Sequence, residues 1–367
     1  MGGERAVNAD GLLKVSRRLG DAAVDPAIWP ELMADISAAV GAKGAVLFQG
    51  GLRTPDVPCT PSVRDMVHDY FRGRFDLADV RAARSVPQML RGAPVTVDED
   101  CVDPDGMRRD PLYAMLGSHG LRWFGGIGFW SGGALWAMCV QRTAAEGPFD
   151  AADKRALALL SPRLTEVATL SSAIGRIALS SAVNALNHVD RAAVAIDGMG
   201  FVIDANPLAA ALFDEEIGVR NRRLSVVDES AQRALQTLLD RMRRSCDADP
   251  LATAPFVVRR GGKPPVIARV LPVPAAARTP FLGARALLTL SPVGPRASVD
   301  PALLAAAFRL TPAEARLAAL IAGGCSPDQA ADRLGVTQTT ARNQLKAVFA
   351  KTGTHRQGEL VTLLSRL

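Results

Sequence analysis

The sequence predicts a multi-domain chain in which two α+β domains precede an all-α, four-helix domain. Three observations lead there. At 367 residues the chain is longer than one hydrophobic core ordinarily organises. Short apolar runs of strand character alternate with helical spacing as far as Leu290, after which strand character stops. From Leu310 to Leu367 the chain carries successive helix starts and stops, each with its own capping residue and terminating glycine.

Composition narrows the function classes. Hydrophobic residues make up 48% and charged residues 22%, a balance that supports folded cores and opposes a disordered chain. Apolar stretches such as 125–130 and 134–140 fall short of the ~20 residues that span a bilayer, and Met1 to Asp10 lacks the apolar core of a signal peptide. A cytoplasmic protein with no membrane partner is expected. Cys59, Cys101, Cys139, Cys246 and Cys325 are scattered, without metal-site or disulfide-scaffold spacing, so reduced thiols are expected and no metal or cofactor is assigned. The sequence shows no phosphate-binding glycine loop, nucleophile elbow or metal spacing among His68, His119, His188 and His355, which argues against an enzyme. The acidic cluster and lysine of a phosphorylated receiver are also missing.

The net charge of +6 is modest, but its placement is informative. From Arg333 onward Arg333, Arg342, Lys346, Lys351, Arg356 and Arg366 face the single anion Glu359. In this last domain, 305–367, Thr311 caps a first helix with Pro312 at its first position and Glu314 complementing the dipole. Gly323 and Gly324 stop it. Ser326, Pro327 and Gln329 open a second helix in a capping-box arrangement, and Gly335 with Val336 makes a sharp turn. Thr337 caps a third helix. Its Ala341, Leu345, Val348 and Phe349 recur at helical spacing and pack inward, which turns Thr339, Arg342, Asn343 and Lys346 outward. Gly353 ends it, and a fourth helix presents Leu360, Leu363, Leu364 and Leu367 as an apolar stripe, read as core plus dimer contact.

These residues resemble the LuxR-type helix-turn-helix domain of bacterial regulators. The matching pieces are LTPAEARLAALIAGG, SPDQAADRLGV, TQTTARNQLKAVFAKTG and HRQGELVTLL, in order and at the family's spacing. The resemblance implies that the third helix enters the DNA major groove, with Thr337, Thr340, Arg342, Gln344 and Lys346 at or near the duplex; with Gln338 and the outward Thr339 and Asn343 these are the candidate DNA contacts. Arg342 replaces the usual lysine, Gln344 a frequent histidine, Ala330 a larger apolar residue and Thr352 a leucine. Those departures bear on the operator sequence and leave the fold expectation intact.

The middle domain, 190–292, begins with strand-like Ala193 to Asp197 and Phe201 to Asp204 around a tight turn of Gly198, Met199 and Gly200. Asn206 and Pro207 then cap a helix, and Phe256 to Arg260, Val266 to Val273 and Ala286 to Leu290 supply three later strands. The order resembles a PAS sensor domain. It lacks the cysteine motif of flavin-photoadduct relatives, and no histidine lies between His188 and His355 to ligate haem. Ligand binding and a purely structural dimerisation role both stay open here.

In the first domain, 1–150, a helix at Trp29 to Val40 leads into a strand at Gly44 to Gln49. Leu121 to Trp130 and Leu135 to Arg142 form apolar strands joined by Ser131, Gly132 and Gly133. The arrangement resembles GAF domains and, more faintly, the ligand domains preceding LuxR-type DNA modules. Around Tyr70, Phe71 and Asp76 it lacks the tryptophan and Asp-Pro pattern of acyl-homoserine-lactone receptors, so no lactone is assigned. Tyr70, Trp123 and Trp136 are the candidate ligand contacts, with buried core as the competing role. Asp105, Arg108, Arg109 and Asp110 read as a solvated loop. A helical connector, 151–189, in which Pro162 restarts the helix, and a Pro/Gly linker, 293–304, complete the layout.

The expectation is a DNA-binding transcriptional regulator, dimeric, whose earlier domains sense a small molecule or partner and bias binding to double-stranded DNA. A regulator whose earlier domains serve only dimerisation or protein partners, with no small-molecule ligand, is the alternative.

Overall fold

The computed structural model describes residues 8–50, 57–244, 254–294 and 300–364. The chain divides into two compact units, one running to Ser291 and one from Pro292 to Leu367.

In the first unit, α1 (Ala9–Arg18), α2 (Asp21–Val24) and α3 (Trp29–Ala39) precede β1 (Gly44–Gln49). Then follow α4 (Arg64–Arg72), α5 (Val80–Leu90), β2 (Val95–Val97), α6 (Asp98–Cys101), α7 (Pro104–Arg109), α8 (Pro111–Ser118), β3 (Trp123–Ser131) and β4 (Ala134–Arg142). The strands form an antiparallel sheet in the order β1–β4–β3–β2. Ser131 pairs with Ala134 across the β3–β4 turn, where Gly132 and Gly133 adopt φ of 58° and 79°. A two-residue hairpin turn with both central φ positive matches the strand twist, and glycine adopts it without steric cost.

Side chains alternate between the two faces of this sheet. Ala45, Leu47, Ile127, Phe129, Trp136, Met138 and Val140 share one core with Trp29, Leu32, Met33 and Ile36 of α3. Val46 and Phe48 point the other way, toward Met66, Val67 and Tyr70 of α4 and Leu112 and Leu116 of α8. The result is a helix–sheet–helix sandwich. The charged stretch read as a loop is the helix α7, because Asp103 accepts from the Gly106 amide at 2.7 Å and Pro104 takes the first helical position.

After α9 (Ala151–Ala158) the chain restarts as α10 (Leu160–His188), with Pro162 in the first turn, where its missing N–H costs nothing. At 1.5 Å per residue this helix is about 43 Å long. Its first half buries Leu164, Val167 and Ala168 against the first sheet, and its second half buries Leu179 and Val183 against a second one.

That second sheet contains β5 (Ala192–Asp197), β6 (Val202–Ala205), β9 (Phe256–Arg260), β10 (Lys263–Leu271) and β11 (Ala284–Pro292), in the order β6–β5–β11–β10–β9. Between them lie α11 (Pro207–Leu212), a hairpin of β7 (Ile217–Arg220) and β8 (Arg223–Val226), and α12 (Glu229–Arg244). Leu235, Leu238 and Leu239 of α12 cover the face bearing Val194, Ile196, Val258, Val266 and Leu288.

The segment between β10 and β11 reaches back into the first core. Phe281 sits among Trp29, Phe129 and Trp136, and the Ser171 and Thr279 hydroxyl oxygens are 2.7 Å apart. Both sheets are thereby locked to α10 as one unit. Among the described residues no helix is long and apolar enough to cross a membrane.

The second unit contains α13 (Pro301–Phe308), α14 (Pro312–Ala322), α15 (Pro327–Leu334), α16 (Gln338–Thr352) and α17 (Gln357–Leu364). The stretch read as linker therefore already turns helical at Pro301. Asp300 caps that helix, accepting from the Ala302 amide at 2.8 Å, and Leu304 is fully buried.

Candidate functional site

Each start in the second unit is set by local chemistry. Thr311 and Glu314 satisfy each other's backbone amides, and Ser326 and Gln329 do the same. Gly335 ends α15 at φ 67°, a left-handed conformation that strains any residue with a Cβ. Thr337 then caps α16, accepting from the Thr340 amide at 3.2 Å. Ala341, Leu345 and Val348 bury one side of α16 against α14 and α15.

The other side of α16 is polar and open. Thr337, Gln338, Thr339, Thr340, Arg342, Asn343 and Lys346 are exposed, and Gln344 is half-buried. Arg342 Nη2 lies 3.5 Å from Asp328 Oδ1, both largely exposed, while Asn343 and Lys346 have no side-chain partner among the described residues. The face thus combines two cations with amide and hydroxyl groups on one rigid helix.

An ion pair holds that helix in place. Lys351 Nζ donates to Glu314 Oε2 at 2.6 Å, joining the last turn of α16 to the capping box of α14. The Lys351 bond and the Thr311 amide hold the Glu314 carboxyl below the usual carboxylate range. The sequence reading gave Glu314 only a dipole role and missed its cationic partner. The Thr-x-x-Glu spacing was the local signal for the box, but nothing local points to Lys351.

The apolar stripe of α17 is mostly interior. Leu360 and Leu364 are at 0% exposure inside the unit's own core, Leu363 is half-buried, and Leu367 lies outside the described residues. Leu360 and Leu364 therefore offer no surface to a dimer partner, because they face Leu317, Ile321 and Val348 at helical spacing.

The first unit holds a cavity of about 50 Å³, room for several waters or a small ligand. It lies between the sheet face bearing Leu135, Ala137, Cys139 and Gln141 and the helices α4, α5 and α8. Of the candidate contacts Tyr70 lines it, its hydroxyl donating to Asp79 at 2.8 Å. Trp123 and Trp136 do not. Trp136 alternates onto the opposite face, into the core with Phe281, and Trp123 packs beside Val102, Met107 and Tyr113 under the Arg122 guanidinium. The other polar residues that reach the cavity are Asp79, which caps α5, Arg81 and Ser85 on α5, and Gln141 on β4, and sequence reasoning singled out none of them.

Arg81 is almost fully buried and held from four sides. Its Nε donates to Asp98 at 2.8 Å and to the Tyr113 hydroxyl at 3.2 Å, Nη1 to Gln141 Oε1 at 3.3 Å, and Nη2 to the Arg122 carbonyl at 2.7 Å. Asp98 also accepts from the Tyr113 hydroxyl and from the Phe124 amide. Burial pushes the Asp98 carboxyl up, with Arg81 pulling it back, and burial raises the Tyr113 phenol as well. Burial together with Asp98 and Asp100 pushes the Cys101 thiol up to about 12, which keeps it out of thiolate chemistry near neutrality. Cys59, Cys139 and Cys325 form no disulfide among the described residues, and Cys246 lies outside them. Among the described residues no group of three or more His, Cys, Asp or Glu side chains is placed to hold a metal ion.

No family model matches the chain, and no curated relative is found. Solved structures similar to it include CepR2 from Burkholderia cenocepacia, an N-acylhomoserine-lactone-dependent LuxR-family transcription factor. That match has 17% identity and a TM-score of 0.31, and covers 43% of this chain and 93% of that one. A phage VqmA–DPO complex matches at 16% identity and TM-score 0.17, covering 51% of this chain and 90% of that one. The Escherichia coli DhaR(N)–DhaL complex matches at 13% identity and TM-score 0.24, covering 76% and 87% respectively. Likenesses this distant leave function to the chain's own residues.

Proposed function

We propose that this protein is a cytoplasmic, homodimeric transcription regulator that binds double-stranded DNA through α16, with the first unit acting as its sensor. In this reading the second unit is a LuxR-type helix-turn-helix domain, and the two sheets of the first unit are GAF-like and PAS-like.

The observation that carries the reading is the exposed polar face of α16, presented behind a turn fixed by Gly335 and the Thr337 cap. An α-helix fits the major groove, where arginine can grip guanine and asparagine adenine with paired hydrogen bonds. Arg342 and Asn343 supply those groups, Lys346 adds a cation for phosphate or guanine, and the threonines reach the backbone or base edges. The Glu314–Lys351 pair ties the last turn of that helix to the start of α14.

A sensor role carries one thermodynamic requirement: an effector shifts DNA affinity only if it prefers one of two states of the dimer. The cavity of the first unit supports a small-molecule effector over a purely assembly role.

The test is selection of bound duplexes from random DNA by the full chain, with and without a cellular metabolite extract. The expected product is a two-fold-related site with half-sites roughly 34–36 Å apart, bound with an affinity that changes with the extract. A chain that enriches no sequence would overturn the reading.

A further inference from the structure

We infer that the cavity of the first unit binds a small uncharged organic molecule, largely apolar with one hydrogen-bond acceptor, whose polar end lies against Ser85 and Gln141. The inference takes the sensor role of the first unit from the reading above and names the ligand class.

The walls decide most of the chemistry. Phe48, Met66, Leu112, Leu116 and Leu135 supply apolar surface on opposite sides of the space. Met89 adds an adaptable wall on α5, and it can lie close to the sheet because β3 carries glycine beneath it. A Cβ at Gly128 would stand 3.1 Å from Met89 Cγ and Sδ.

The polar end pairs the Ser85 hydroxyl with the Gln141 amide, and its carboxylate, Asp79, is already engaged by Tyr70 and the Ala82 amide. Ser85 is 6% exposed and Gln141 5%. The Gln141 carbonyl is already used by Arg81, which leaves its amide Nε2 as donor, with no partner among the described residues. The Ser85 hydroxyl has no partner among the described residues either, although a helical serine can turn its hydroxyl onto the carbonyl four residues back. The Gln141 amide nitrogen is a donor only, and the Ser85 hydroxyl can donate beside it, which favours a carbonyl or ether oxygen.

Charge excludes the ionic alternatives. Arg81 is the cation at the cavity, and Asp98 already neutralises it, so an anion would gain no free counter-ion and would face Asp79 as well. A cation would meet the Arg81 guanidinium, while Asp79 already accepts from the Tyr70 hydroxyl at 2.8 Å and the Ala82 amide at 2.9 Å.

Calorimetric titration of the full chain with acetone, acetate and isopropylammonium, each small enough for a cavity of about 50 Å³, tests the assignment. Acetone binds saturably, and the two ions bind about tenfold more weakly or not at all. Ser85→Ala and Gln141→Leu each weaken acetone several-fold, and Ala137→Leu, which fills the space, abolishes binding while the thermal transition is retained. Absence of acetone binding, tighter binding of either ion, or undiminished binding by Ala137→Leu overturns the assignment. Acetone binding that leaves DNA affinity unchanged upholds the cavity assignment and overturns the sensor reading instead.

Discussion

The ring of Phe281 stands edge-on to Trp29, their centroids 5.2 Å apart at an interplanar angle of 79°. Trp136 meets the same ring at 5.1 Å. A residue from the turn before the last strand of the second sheet thereby completes the core of the first. Phe281→Ala is expected to destabilise the first unit by about 3–5 kcal/mol, the range for emptying an aromatic site that cannot collapse. Urea unfolding followed by tryptophan emission reads this. A loss under about 1 kcal/mol would mean that the two sheets do not depend on the plug.

Gly175 gives a prediction of sign. Replacing a helical glycine with alanine ordinarily gains up to about 1 kcal/mol. Here a Cβ would stand 2.7 Å from Thr279 Cγ2 and 3.0 Å from the Ala276 carbonyl oxygen. Gly175→Ala should therefore lower stability, by about 1 kcal/mol or more. A raised denaturation midpoint would show that α10 and the turn beside it are less tightly packed.

The pair of Glu314 and Lys351 predicts a pH dependence. The folded Glu314 carboxyl titrates below its unfolded value, chiefly through its bond from Lys351. Its stabilisation is therefore complete above the ordinary glutamate range and is lost as pH falls through the folded value. Thermal unfolding of the wild type should drop more steeply between about pH 5 and pH 3 than that of Lys351→Met. Parallel curves would contradict the pairing.

Asp98 is the sole carboxylate bonded to the buried Arg81 among the described residues. Asp98→Ala leaves that guanidinium without its counter-ion and should cost about 3–5 kcal/mol. Chemical denaturation measures this, and a near-neutral result would show that water reaches Arg81.

Elements whose fold is written in local pattern were readable in the sequence. Gly44 to Gln49, the hairpin around Gly132 and Gly133, and the helix opened by Asn206 and Pro207 follow an apolar run, turn glycines and a cap respectively. The β7–β8 hairpin escaped notice because Asn221 and Arg222, at φ 50° and 63°, occupy its turn without a glycine. Three-residue β2 is too short to show alternation. The cavity was hidden for a different reason. Parity along β4 separates Trp136 from Leu135 and Ala137, but only the packed helices decide which face is filled. Phe281 and Lys351 act on partners distant in sequence, which no local spacing announces.

The central claim is that α16 reads DNA, and salt-titrated binding of the full chain to its selected duplex tests it most directly. Arg342→Ala is expected to weaken binding by about 1–3 kcal/mol and to relax preference at one base pair. Lys346→Ala is expected to lower affinity and, if it meets a phosphate, to reduce the salt slope by about 1. Affinity and salt slope unchanged in both variants would contradict the account.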